Sequence, residues 1–225
     1  MQKIFRDCLF GGAWGDAAGA PHELKVKSGP YTGKLQYTTT VGGRFHEPKI
    51  LPVGSVTDDT QMTMYLLKYL IQTKAKLTRE GLVHTYIDFA NTYPTCLGKN
   101  TRFLFRSIKT TKGFEARRAK VDPNNQAIGP LMRCSALALL PNSLSDQEIA
   151  DYCYLDCDVT NSHPNCVSAV TLHVLVLRKI FEGLSSGRKP DELKPELLEF
   201  CQEFAETNEE VSPEHSTAVY EGLGG

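Results

Sequence analysis

Charge of either sign is nearly balanced in this chain: 25 lysines and arginines stand against 26 acids, a formal net charge of −1. A protein dedicated to nucleic acid or to an anionic membrane surface depends on a strong positive field, which this balance does not supply. No apolar run reaches the roughly 20 residues that a bilayer span requires, and the N-terminus lacks the layout of a signal peptide. The expectation is a soluble, cytoplasmic or otherwise intracellular protein with no membrane partner and no nucleic-acid partner. Cys-x-x-Cys spacing is also missing. The seven cysteines, Cys8, Cys96, Cys134, Cys153, Cys157, Cys166 and Cys201, are odd in number, which rules out a fully paired disulfide framework and favours reduced thiols. Cys153, Cys157 and Cys166 lie near His163 and invite a zinc reading, but Cys153 and Cys157 at i and i+4 suit small hydrophobes on one helix face better. Long linkers and repeats are absent too. A chain of 225 residues with 41% hydrophobic content is read as one domain, residues 1–225, able to bury a proper core, and a monomer is expected.

What is present reads mostly as helix. Ile4 to Ala18 suits an opening helix, and Asp59 to Thr73 carries Met62, Leu66, Leu67, Leu70 and Ile71 at a spacing near 3.6. Another helix is expected after Thr78, with Leu82, Val83, Tyr86, Ile87 and Phe89 on its buried face. Arg102 to Ile108, Pro130 to Leu140 and Asp146 to Leu155 follow, the last announced by a capping box of Ser145 and Glu148. Asn165 to Leu184 is apolar nearly all round, which places it at the centre of a bundle. Pro195 is expected at the start of a helix over about 194–206, and a short helix near the end. Between Tyr31 and Phe45, threonines, tyrosines and glycines suggest a loop or small hairpin. The fold class expected is all-α, a compact orthogonal helical bundle.

Two segments stand out for chemistry. Gly54-Ser55-Val56-Thr57-Asp58-Asp59-Thr60-Gln61 brings a hydroxyl and two adjacent carboxylates to the start of an apolar helix, where half-in residues could converge on a divalent cation. Asp58 with Gln61 also spells a capping box, and Asp59 would favour the positive helix end. Both readings stand. Near the N-terminus, Gly11, Gly15 and Gly19 would form a bare stripe on a helix, open either to close packing or to a ligand, with Asp16 and Glu23 bracketing the turn around Pro21.

These residues carry a resemblance. Gly-Asp-Ala-x-Gly-x-Pro-x-Glu at 15–23, followed by Thr-Asp-Asp-Thr at 57–60, is similar to the ADP-ribosylglycohydrolase family, which includes the dinitrogenase reductase-activating glycohydrolases. Leu97-Gly98-Lys99-Asn100-Thr101 resembles the family's middle glycine motif, and Gly129-Pro130-Leu131-Met132-Arg133 its Gly-x-x-Met-Arg segment. Ser162-His163-Pro164 falls where the family has Thr or Ser before His-Pro. The resemblance implies the same all-α fold, and an enzyme that hydrolyses the glycosidic bond linking ADP-ribose to a modified protein side chain or small molecule. It further implies that Thr57, Asp58 and Asp59 hold one or two magnesium ions, Asp58 and Asp59 thereby serving catalysis. Glu23 would act as general acid/base or align the water. Asp16, Gly98, Asn100, Thr101, Gly129, Met132, Arg133 and His163 would contact the substrate.

Ordinary structural roles compete at several of these positions. Glu23 could be a surface residue after a turn, His163 could cap the long helix, Arg133 could pair with a carboxylate at the edge of the core, and Asn100 and Thr101 could cap a helix. The family completes its metal site with a later Asp-x-Asp followed by Thr or Ser, which this sequence does not contain in that place. Asp156-Cys157-Asp158 precedes Ser162-His163-Pro164 and so falls out of order. One metal with solvent in the open positions, substitution by Glu209 or Glu210, or an ADP-ribose-binding module of weak or no turnover are the three readings this leaves. Ile128 stands where many relatives have asparagine. Finally, Lys99, Arg102, Arg106, Lys109, Lys112, Arg117, Arg118 and Lys120 face one acid, Glu115, a stretch that reads as a solvated loop before it reads as a phosphate-binding patch.

Overall fold

Two 22-residue helices frame the molecule, one near the start of the chain and one running through the core. A computed structural model describes residues 2–23, 39–41, 49–52, 54–94 and 96–207. Among these the elements run α1 (Gln2–Glu23), β1 (Thr39–Val41), β2 (Lys49–Leu51), α2 (Asp58–Gln72), α3 (Arg79–Ala90), α4 (Lys99–Phe105), α5 (Thr111–Arg118), α6 (Asp146–Asp158), α7 (Pro164–Ser185) and α8 (Pro190–Thr207). Two consecutive 3-10 turns, Gly129–Met132 and Cys134–Leu139, join α5 to α6. The fold is an all-α helical bundle. Its strands make a single antiparallel pair, Thr39 opposite Leu51 and Val41 opposite Lys49. No helix among the described residues is long and apolar enough to cross a membrane.

Helix α7 holds the centre because apolar residues cover most of its circumference. Val170, Val174 and Leu175 enter the main core, with Met62 and Leu66 from α2, Tyr86 and Phe89 from α3, Phe105 from α4 and Ile149 from α6. On its other side Leu172 and Val176 meet Leu193, Leu197 and Cys201 of α8. That second contact is tight: a Cβ built on Gly183 would lie 2.3 Å from Leu193 Cδ2, so glycine is what lets the two helices approach. Cys153, Cys157 and Cys166 are buried in the main core as free thiols, beside aliphatic neighbours.

Several expectations about elements need correction. Helix α1 runs on through Pro21 to Glu23, where a turn was expected, and α4 spans Lys99–Phe105 in place of Arg102 to Ile108. The short helix expected near the end lies outside the described residues. The run from Pro130 to Leu140 forms two 3-10 turns, Gly129–Met132 and Cys134–Leu139, separated by Arg133 (φ −118°, ψ −12°), and not one α-helix. Pro195 lies inside α8, which begins at Pro190, where the Lys189 N–H donates to Glu192 Oε2 at 3.0 Å. Pro195 is exposed, so water can reach the carbonyl one turn back that its missing N–H does not serve. Residues 111–118, read as part of a basic loop, form α5, whose start is capped by the Thr110 side chain accepting from Gly113 N–H at 3.2 Å. Its one buried residue, Phe114, leaves almost no apolar period to detect.

Candidate functional site

Helix α2 opens with backbone N–H groups that its own N-cap does not serve, since the Thr57 side chain makes no capping hydrogen bond. Asp16 of α1 supplies the cap from across the fold. Its Oδ2 accepts from the Thr57 N–H at 2.8 Å, the Thr60 N–H at 3.1 Å and the Thr60 hydroxyl at 2.6 Å, and its Oδ1 accepts the Thr57 hydroxyl at 2.6 Å. The negative charge that suits this helix end thus comes from the first helix. Asp58 is the first residue inside α2, not its cap, so the capping box read from Asp58 and Gln61 is not the arrangement adopted.

Asp58 and Asp59, being consecutive residues of a helix, diverge. Asp58 turns toward the start of α4, where its Oδ2 accepts the Gly98 N–H at 2.9 Å. Asp59 turns the other way, its Oδ2 lying 3.2 Å from the Thr57 hydroxyl. The expected convergence of Thr57, Asp58 and Asp59 is therefore altered: Thr57 and Asp59 gather with Asp16, and Asp58 stands behind them. Among the described residues no three Asp, Glu, His or Cys side chains form a ready metal cluster. Burial pushes the Asp58 carboxyl up from its ordinary value; the Gly98 N–H opposes that, and the charge of Asp16 adds to it. Hard oxygen donors crowded in this way fit magnesium, whose charge would relieve their mutual repulsion.

A cleft of about 170 Å³ opens beside Asp16 and Asp59. Gly12, Ala13 and Gly15 of α1 form one wall; Asp59, Thr60, Thr63 and Met64 of α2 form another; Met132 and Ser135 close it. A Cβ on Gly11, Gly12, Gly15 or Gly19 would meet nothing within 4 Å among the described residues, and Gly12 and Gly15 line the cleft. The Thr63 hydroxyl lies 2.8 Å from the Asp59 carbonyl and 3.3 Å from that of Met132, tying α2 to the first 3-10 turn.

The other candidates fall into separate places. Gly98 caps α4 at Asp58, and Thr101 is buried beside it. The Asn100 Oδ1 accepts from Asn125 Nδ2 at 3.3 Å, and its own Nδ2 is buried without a partner among the described residues. Gly129 sits against Asn161, whose Oδ1 would be 3.2 Å from an added Cβ. Arg133 lies in the core with no exposed surface. Its Nε donates to Asp156 Oδ2 at 2.9 Å, its Nη2 reaches Thr160 Oγ1 at 2.9 Å, and its guanidinium stacks over Tyr86, whose hydroxyl also donates to Asp156. It is not among the residues lining the cleft, and its Nη1 is buried without a partner among the described residues. His163 caps α7, its Nδ1 accepting from the Asn165 N–H at 3.2 Å. Glu23 ends α1, but its side chain, like Glu209 and Glu210, lies outside the described residues.

The family model for ADP-ribosylglycohydrolases matches residues 2–223, nearly the whole chain. The chain belongs to the ADP-ribosylglycohydrolase family. Comparison with curated proteins gave no match, and comparison with solved structures gave none. Family membership supports ADP-ribosylglycohydrolase-type hydrolysis and ADP-ribose-derived substrates. In this family member, Asp156-Cys157-Asp158 is not among the residues lining the cleft: Asp156 is buried against Arg133, and Asp158 pairs with Arg79 at 2.6 Å and Arg118 at 3.6 Å. The arginines of the basic stretch are likewise engaged internally. Arg102 donates to the Leu97 carbonyl, Arg117 to those of Phe103 and Arg106, and Arg118 to the Asp158 carbonyl and the Ser162 hydroxyl.

Sequence reasoning assigned no role to four residues that the structure brings to these places. Thr60, Thr63 and Ser135 line the cleft, and buried Asn161 backs Gly129. Thr60 could have been found, as the second threonine of the Thr-Asp-Asp-Thr motif. Ser135 and Asn161 sit in segments whose path depends on tertiary packing and carried no local signal.

Proposed function

We propose that this ADP-ribosylglycohydrolase uses the cleft between α1 and α2 to hydrolyse the glycosidic bond joining ADP-ribose to a modified side chain or small molecule, with magnesium as cofactor. The observation that carries this reading is the gathering of Asp16, Thr57 and Asp59 at the mouth of a cleft walled by bare α1 backbone. Thr57 and Asp59 are the donors that would hold magnesium, with Asp58 behind them at the start of α4, and the ion when bound would supply charge neutralisation and orientation of ribose hydroxyls and water.

Hydrolysis breaks the bond between the anomeric carbon and its leaving atom, bonds a water oxygen to that carbon, and transfers a water proton to the departing group. The transition state resembles an oxocarbenium ion, so carboxylates near the ribose stabilise the positive charge that develops. Asp16 and Asp59 are the described carboxylates at the cleft, and with Asp16 held by Thr57 and Thr60, Asp59 is the one whose charge would serve that end. Glu23, at the end of the same helix as Asp16, is the candidate to relay the proton. Gly12 and Gly15, which line the cleft, carry no side chain to keep a sugar from the α1 backbone. The second reading, an ADP-ribose-binding module of weak turnover, draws support from the divergence of Asp58 and Asp59.

Assaying free ADP-ribose released from arginine-linked and serine-linked conjugates tests the proposal. Wild-type release that falls at least a hundredfold in Asp59→Ala and in Glu23→Ala supports hydrolysis at this cleft. Tight ADP-ribose binding with no release by the wild type would favour the module.

A further inference from the structure

We infer that Asp16 is a positioning residue, which fixes the direction of the Thr57 hydroxyl so that oxygen lone pairs, not the proton, face Asp59 and the cleft. The inference rests on the magnesium reading above and concerns how this chain prepares its donors. A threonine hydroxyl has one proton and two carboxylates compete for it here. Asp16 Oδ1 lies at 2.6 Å and Asp59 Oδ2 at 3.2 Å, so the shorter contact claims the proton. With the proton so directed, a lone pair of the Thr57 oxygen is turned to the side of Asp59 Oδ2, an arrangement of oxygen donors suited to a shared cation.

Asp16 itself is poorly placed to be the principal ligand. Its Oδ2 already accepts three donors: the Thr57 N–H, the Thr60 N–H and the Thr60 hydroxyl. Those bonds lock the carboxylate plane, and so lock where Oδ1 stands relative to Thr57. The same three bonds also cap α2, which is why position and helix start are fixed together.

The consequence is specific to the acid. In Asp16→Asn the amide oxygen can keep the three donors of α2, but the amide nitrogen then faces Thr57 and donates to it. That occupies a lone pair of the hydroxyl and turns its proton toward Asp59. Volume and cap are retained while the polarity of Thr57 reverses.

Mn²⁺ serves as the probe, with free aquated ion counted by electron paramagnetic resonance during titration of the 225-residue chain, and a melting curve recorded for each variant. Asp16→Asn and Thr57→Val are each expected to weaken Mn²⁺ binding at least tenfold, and the double variant to lose no more than threefold beyond Thr57→Val alone. Thr57→Ser, which keeps the hydroxyl, is expected to stay within threefold of wild type. A purely structural Asp16 would lower the melting temperature and leave Mn²⁺ affinity within twofold below that temperature, which overturns the inference. A double variant at least tenfold weaker than Thr57→Val overturns it too, because Asp16 would then act without Thr57. Should Asp16→Asn not fold, unchanged affinity in Thr57→Val overturns it alone. If wild type binds no Mn²⁺, the magnesium reading itself has failed, an outcome distinct from the others.

Discussion

Asp58 and Gly98 are joined across forty residues of sequence, the carboxylate Oδ2 accepting the backbone N–H of Gly98 at 2.9 Å. This bond fastens the start of α2 to the start of α4 through a buried charge. Burial raises the folded-state value of Asp58 above its unfolded one. Between the two values the folded chain binds more protons than the unfolded, so stability falls as pH rises through that interval, and the penalty persists at neutral pH. Asp58→Asn keeps an acceptor for Gly98 and removes the charge. It is expected to stabilise the protein by about 0.5–2 kcal/mol at pH 7 while weakening metal binding, a trade common at functional sites. Melting curves should show the gain narrowing as pH falls toward about 4, where unfolded aspartate itself protonates.

Arg133 and Asp156 form an ion pair with both side chains wholly buried. Arg133→Met leaves Asp156 charged and unpaired, an arrangement that costs about 3–5 kcal/mol. A large drop in melting temperature is expected, partly restored in Arg133→Met/Asp156→Leu. A rise in KM with unchanged stability would instead mean that Arg133 meets the substrate.

At alkaline pH the buried thiols dominate. Burial, with Asp156 nearby, pushes Cys153 up to about 12, and burial holds Cys134 well above its usual range. Their protonated forms contribute stability that is complete below the unfolded value of about 8.5 and is lost as pH rises toward the folded values. Each such group adds a slope of up to about 1.4 kcal/mol per pH unit in that window. Thermal melts of Cys153→Ala between pH 9 and 10.5 should show a shallower decline than wild type, by about one group's share. An identical slope would mean that Cys153 titrates normally in the folded chain.

A control lies far from the cleft. Ser145 caps α6 in a reciprocal capping box with Glu148. Ser145→Ala is expected to cost about 1 kcal/mol. That corresponds to a melting-point drop of about 2–4 °C for a domain of this size, and ADP-ribose release should not change. A change in release would show that stability and turnover are coupled in ways the cleft residues alone do not capture.

How much of this was legible beforehand follows from range. The buried faces of α2, α3 and α7 were readable because their apolar periods are local, and Ser145 with Glu148 marked α6 for the same reason. Helix α5 was not, since a single buried Phe114 makes no period. The segment at 130–140 was read as one helix because its apolar residues carry no mark of the break at Arg133, whose side chain pairs with Asp156 on another element. The site shows the same division. The motifs marked Thr57, Asp58, Asp59 and Asp16 as candidates, yet nothing in the sequence says that the cap of α2 comes from Asp16, forty-one residues before Thr57. Nor does it say that Asp58 and Asp59 part company once α2 begins at Asp58.

The most direct measurement is the rate of ADP-ribose release from arginine-linked and serine-linked conjugates by protein stripped with EDTA and then titrated with magnesium. Release that is negligible in the stripped protein, returns saturably with magnesium, and stays absent in Asp59→Ala is the expected result. Wild-type release that is unchanged by stripping, or no release from any conjugate at saturating magnesium, would contradict it.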